Sequence, residues 1–144
     1  MSLGPPSLVT NLMARYRELA SGTGDGVNDT VKLGAMRQIY VAETDEQAFA
    51  VAKPAYDDWY RSILQLWHQK NDHAYDNFFA WEPCLAGETI LMGSVDKVRD
   101  QIQQLVSESG INYFVGSFAW GSLAPEASQR SFDLFATHIV PHVH

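Results

Sequence analysis

The residues of this 144-residue chain with chemistry to offer are five histidines, one cysteine and a few placed carboxylates. His138 and His142 stand four apart and His144 follows, the spacing at which two imidazoles on one helix face hold a metal ion. Pro141 interrupts the helix that would align them, so the expectation is a solvent-exposed tail and no metal site. His68 and His73 flank a polar "QKND" and are expected to face water. Cys84 has no histidine-bearing motif beside it and reads as a small, part-buried apolar residue rather than a nucleophile. Glu43 and Asp45 sit where a helix N-terminus favours negative charge, and capping accounts for them. Arg130 and Asp133, three apart on the last helix, are expected to pair at the surface. "SGTGDGVNDT", Ser21 to Thr30, is glycine- and Asx-rich, but no Lys-Ser/Thr follows its glycines and no Glu closes a calcium loop. It reads as a connector.

The composition bounds the class. With 46% apolar residues the chain is not of the disordered type, and its length suits one domain, 1–144, with a real core. The net charge of −7 and the lack of a basic cluster argue against nucleic-acid binding. No apolar run approaches the ~20 residues of a membrane span. "MSLGPPSLV" lacks the charged and apolar regions of a signal peptide, and a lone cysteine fits the reducing cytoplasm.

The elements that must position these residues follow from periodicity. Leu8, Val9, Leu12, Met13, Tyr16, Leu19 and Ala20 predict a helix from about Ser7 to Ala20 with one apolar face. In Val31 to Ala42, Val31, Leu33, Ala35, Ile39 and Val41 alternate with a face that is only half polar, which suits a parallel strand covered on both sides. Thr44-Asp45-Glu46-Gln47 is a capping box opening a helix, and Pro54 predicts a kink or break in it. Beyond it Tyr56, Trp59, Tyr60, Ile63, Leu64 and Trp67 form an aromatic stripe of core or interface type. Residues 71–93 show no period and predict a long loop or lid, aromatic enough to lie over something apolar. Ser94 is expected to cap a helix to Ser109 that buries Val95, Val98, Ile102, Leu105 and Val106, with Gly110 as its C′ residue. A second strand, Ile111 to Phe118, leads through Gly121-Ser122-Leu123 into a last helix carrying Ala127, Phe132, Leu134, Phe135 and Ile139. The fold class predicted is α/β and helix-rich, with two strong strands.

Two phrases give this pattern a resemblance. "MRQIYVAETDEQAFAVAKPAYDDWY", Met36 to Tyr60, resembles the seventh strand and following helix of luciferase-like flavin-dependent monooxygenases. "MGSVDKVRDQIQQLVSESGINYFVGSFAWGSLAPEASQRSFDLFATHIVP", Met92 to Pro141, resembles the end of the same family, with its Gly-Ser/Thr-Pro-Glu-Glu-Val helix start, eighth strand and Ser-Leu-x-Leu-Phe helix. "LGPPSLVTNLMARYREL" is similar to the segment after the sixth strand. Val95 stands where the family commonly has proline, which removes a preset φ at small cost.

The resemblance implies a partial (β/α)₈ barrel, the last two to three strand–helix units of a fold of typically ~250 residues. It implies a monooxygenase in which reduced flavin, FMN or a deazaflavin, reacts with oxygen while the protein supplies a dry, oriented pocket. No residue here matches a catalytic histidine of the family, so none is carried over. What the chain can offer is pocket wall at the C-terminal ends of its strands: Gln38, Tyr40, Phe118 and Trp120, with Arg37 and Ser117 on the opposite faces by alternation. Two strands cannot close a barrel. A homo-oligomer, or a partner supplying the missing strands, is therefore expected, whether the chain is a truncated enzyme or a non-catalytic self-associating α/β module.

Overall fold

The computed structural model describes residues 4–22 and 31–143. In chain order these form α1 (Pro6–Gly22), β1 (Gly34–Ala42), α2 (Asp45–Gln69), α3 (Asp76–Phe79), α4 (Trp81–Ala86), β2 (Ile90–Ser94), α5 (Val95–Ser109), β3 (Tyr113–Ser117), α6 (Pro125–His138) and a closing 3₁₀ turn, Val140–His142. Most of the glycine-rich connector, residues 23–30, lies outside the described residues, as does His144.

The three strands make one parallel sheet in the order β2-β1-β3. β1 is the centre, pairing with β2 over Gln38–Ala42 and with β3 over Gly34–Gln38. Each face is covered, which is why β1 carries apolar residues on both. On one face Tyr40, Ala42, Ile90 and Met92 pack against Ala48, Ala52, Ala55 and Tyr56 of α2 and Trp81 and Cys84 of α4. On the other, Ile39, Val41 and Leu91 meet Val98 and Ile102 of α5 and Ile139 beyond α6. At the start of β1 a third cluster joins Val9 and Met13 of α1 to Leu33, Ala35, Leu105 and Ile111.

Thr44 caps α2 as expected: its Oγ1 accepts from the Gln47 N–H at 3.2 Å, the first half of the capping box. Gly110 ends α5 with φ 63, the left-handed residue expected there, its N–H donating to the Val106 carbonyl. Pro54 does not break α2, which runs unbroken through 25 residues. The helix is held from outside by the apolar packing of Ala48, Ala52, Ala55 and Tyr56, which outweighs one lost backbone bond.

Three further expectations are corrected. Residues 71–93 are not a loop without structure, since they contain α3, α4 and the first four residues of β2. The aromatic stripe of α2 is what fastens this segment, with Tyr56 against Trp81 (ring centroids 5.2 Å), Trp59 against Phe79 (5.7 Å) and Trp67 against Tyr75 (5.6 Å). Ser94 makes no side-chain cap on α5; instead its N–H donates to Asp45 Oδ1 at 2.7 Å, tying the start of α5 to the start of α2. And α1 buries only Val9 and Met13 of its apolar face, leaving Leu8, Leu12, Tyr16 and Leu19 exposed.

Candidate functional site

Where β3 stops, the chain turns at Gly121, whose φ of 57 is left-handed and whose Cα faces the Ala55 carbonyl of α2 so closely that a Cβ would collide with it. This turn brings Trp120 down onto α2, edge-to-face with Tyr56 at 6.1 Å between centroids. It also closes a cavity of about 490 Å³ on the α2 side of the β1–β3 pair, a size typical of small-molecule sites.

Three of its walls come from the strands and helix. Met36 and Gln38 of β1 and Ser117 of β3 form the floor, and Gln38 and Ser117 are direct register partners. Tyr56 and Trp59 of α2 form one side, Ala119 and Trp120 another. The remaining side is the 77–89 segment, with Phe78, Phe79, Cys84 and Thr89. That side is tied down by two hydrogen bonds: Tyr56 Oη donates to the Phe79 carbonyl at 2.9 Å, and Cys84 Sγ to the Phe78 carbonyl at 3.3 Å. Burial pushes the Tyr56 phenol well above its ordinary range, with Cys84 adding to the effect, so it acts as a fixed donor. Trp120 is 6% exposed, and its Nε1–H has no hydrogen-bond partner. An indole N–H is a donor only, and this one is an unmet donor buried within the wall.

Among the described residues no Lys, Arg or His lines this cavity. Its surface is aromatic and apolar with a few neutral polar groups, suited to an uncharged ring compound and unsuited to a phosphate.

The six residues read from sequence as pocket wall divide evenly. Gln38, Ser117 and Trp120 line the cavity together. Tyr40 is buried under α2 and borders only a flat depression against Arg130 of α6, where burial raises its phenol above the ordinary value. Phe118 turns to the other face, packing edge-to-face on Phe132 and Phe135 of α6. Arg37 is fully buried on that other face; one guanidinium nitrogen donates to the Met36 carbonyl at 2.9 Å while Nε and Nη2 have no partner. Burial pulls its pKa down to about 10, and the charge of Glu88 opposes this. The regrouping of Ser117 and Phe118 follows from register: Gln38 pairs with Ser117, so Ser117 shares its face and Phe118 cannot.

Other groups also find unexpected partners. Arg130 pairs with Glu43 across the top of β1, not with Asp133, which instead accepts from Gln129. That bond holds the Glu43 carboxyl below its usual range. His68 and His73 are at the surface as expected, but they are brought together. His68 Nε2 lies 2.6 Å from Asp76 Oδ1 and His73 Nδ1 2.8 Å from Asp76 Oδ2. Hydrogen bonds from both rings hold the Asp76 carboxyl low. His138 and His142 fall at the end of α6 and in the 3₁₀ turn, exposed.

Comparison with known proteins places this architecture. No family model matches the chain. The uncharacterized protein y4wF of Sinorhizobium fredii (strain NBRC 101917 / NGR234) is 26% identical over 127 residues, which are 88% of this chain but 37% of that protein. Among solved structures, monooxygenase RslO1 from Streptomyces bottropensis superposes with a TM-score of 0.76 at 24% identity, over 97% of this chain and 39% of its own. The oxygenating constituent of 3,6-diketocamphane monooxygenase from Pseudomonas putida, a type II Baeyer-Villiger monooxygenase solved with FMN, gives 0.69 at 16% over 98% and 41%. The coenzyme F420-dependent tetrahydromethanopterin reductase of Methanopyrus kandleri gives 0.61 at 15% over 98% and 44%. The chain thus has an α/β fold that recurs as part of larger oxidoreductases, and it spans roughly two fifths of their length. Among the described residues, no helix is long and apolar enough to cross a membrane.

Proposed function

We propose that this chain is the C-terminal portion of a luciferase-like, flavin- or deazaflavin-dependent monooxygenase barrel, and that its cavity receives an uncharged ring, of substrate or of flavin. The observation that carries this reading is the aromatic cavity beside the β1–β3 pair, on a fold that recurs in a monooxygenase, in an FMN-bound monooxygenase and in a coenzyme F420-dependent reductase. A flavin ring system suits the lining: it is flat, aromatic and edged with polar atoms for Gln38 or Ser117. The phosphate of FMN does not fit, because among the described residues nothing cationic lines the cavity. This chain's residues therefore exclude water and orient a ring, and the charged end of the cofactor needs residues from elsewhere.

The test is a titration of the purified chain with FMN and with lumiflavin, the same ring without ribityl phosphate, followed by flavin fluorescence. Saturable binding of both, with equal affinity, is expected. Binding that requires the phosphate overturns the reading, and no binding of either at millimolar ligand overturns the flavin ring as the cavity's occupant.

A second reading, a self-associating module without catalysis, is favoured by the exposed Leu8, Leu12, Tyr16 and Leu19 of α1 and by the open outer edge of β3. Both readings call for association, with a second copy or with a partner supplying further barrel strands. Sedimentation velocity at micromolar protein tests it. A folded monomer that binds no flavin overturns both.

A further inference from the structure

We propose that His68, His73 and Asp76 form a binding site for a divalent transition metal, of zinc type, that pins the turn after α2 and with it the α3 wall of the cavity. The backbone assembles the triad. α2 ends in a tight reversal: Asn71 takes a left-handed φ of 53, the Asn71 N–H donates to the His68 carbonyl and the Asp72 N–H to that of Trp67, each at 3.0 Å. An Asx turn follows, Ala74 N–H to Asp72 Oδ1 at 3.0 Å, and the Asp76 N–H closes on the His73 carbonyl at 3.2 Å. This folds His73 back over His68, with ring centroids 4.8 Å apart.

Both imidazoles then aim a nitrogen at the same carboxylate, one to each oxygen, and the ligand atoms of all three residues lie within 4.8 Å of one another. Two neutral imidazoles and a carboxylate are a common zinc donor set, and an exposed position leaves room for water as fourth ligand. At bond lengths of about 2.0–2.1 Å, neighbouring tetrahedral ligands sit about 3.3 Å apart. The two His–Asp contacts, at 2.6 and 2.8 Å, need to open by about 0.5–0.7 Å, and separations in the group, all within 4.8 Å, close to about 3.3 Å, as the ion takes the place of the hydrogen-bonding protons.

The consequence reaches the cavity because the triad bridges two elements. His68 belongs to the last turn of α2, and Asp76 is the first residue of α3, whose Phe78 and Phe79 line the cavity. The Asp76 carbonyl already accepts from Tyr60 Oη at 3.2 Å, so an ion on its carboxylate adds a second tie at the same residue.

The test uses the full chain, stripped with EDTA and titrated with zinc chloride by calorimetry, then with cobalt chloride by visible absorption. One zinc per chain is expected, with a tetrahedral cobalt spectrum. Asp76→Asn, nearly isosteric, and His73→Ala should each weaken binding by at least about tenfold, the loss that even an outer partner of a metal ligand causes. Far-UV circular dichroism of each variant keeps misfolding apart from ligand loss. His138→Ala/His142→Ala/His144→Ala should bind as wild type. Zinc should also raise the thermal midpoint of wild type and not of Asp76→Asn. No saturable binding, binding lost in the tail variant and kept in Asp76→Asn, or zinc bound with no rise in midpoint, each overturns the proposal.

Discussion

β2 and β3 lie at opposite edges of one parallel sheet, each with β1 as its strand neighbour among the described residues, yet the chain treats them differently. β2 is buried over its first four residues, with α2 and α4 on one side and α5 on the other. β3 has no fully buried residue, and Tyr113 at its start is half exposed. An outer strand buried as β2 is offers little surface for another chain to pair with. A strand half covered is surface of the kind that a neighbour usually occupies, and so are the four bare apolar residues of α1, a helix that packs on α5. The difference teaches that, among the described residues, the sheet is finished, in the sense of covered, on the β2 side of β1 and open on the β3 side.

The largest effect should come from breaking the finished side. Leu91→Ala removes a side chain 1% exposed between β1 and α5 and should cost about 2–5 kcal/mol in urea denaturation. Val115→Ala on β3 should cost well under half as much; equal losses would mean that β3 is as finished as β2. Next comes the seam between the sides. Ser131, buried in α6, accepts the Val41 N–H on its hydroxyl at 2.8 Å, and Ser131→Ala strands that donor at a cost of about 1–3 kcal/mol. Leu12→Glu with Leu19→Glu should shift monomer stability by no more than about 0.5 kcal/mol per site, being exposed. The same pair should abolish self-association in sedimentation velocity, and an unchanged oligomer would remove α1 from the interface.

The smallest effect concerns the tie across the finished side. Asp45 accepts from the Ser94 N–H and from Lys97, and the Ser94 bond foremost depresses its carboxyl below 3.8. A depressed folded pKa gives stability that is present above the unfolded value and lost as pH falls through the folded one. Wild type should therefore lose its margin over Asp45→Asn below about pH 4, in denaturation curves from pH 6 down to 2. The group is well exposed, so the margin is small.

Local signals proved legible in the sequence. Thr44, Gly110 and the mixed faces of β1 each carry a reason that acts within a few residues, and each stands as read. β2 escaped because "ILMGS" is short, apolar and without alternation, so nothing separates it from a buried helix turn. Phe118 and Ser117 were assigned to the wrong faces relative to Gln38 because alternation holds within a strand, while the register between strands is set by tertiary packing. The His68–His73–Asp76 grouping needed one backbone angle, the left-handed Asn71. An Asn after a predicted helix end was the available hint.

The Ser131 hydroxyl has a directional consequence. β3 stops opposite Gln38, and farther along β1 it is a side chain, not a strand, that occupies the Val41 N–H. That hydroxyl works as an end-stop. A strand arriving from another chain finds no vacant donor at Val41 and has to align along the outer rim of β3. Along β1 beyond Gln38 the Val41 donor is already taken.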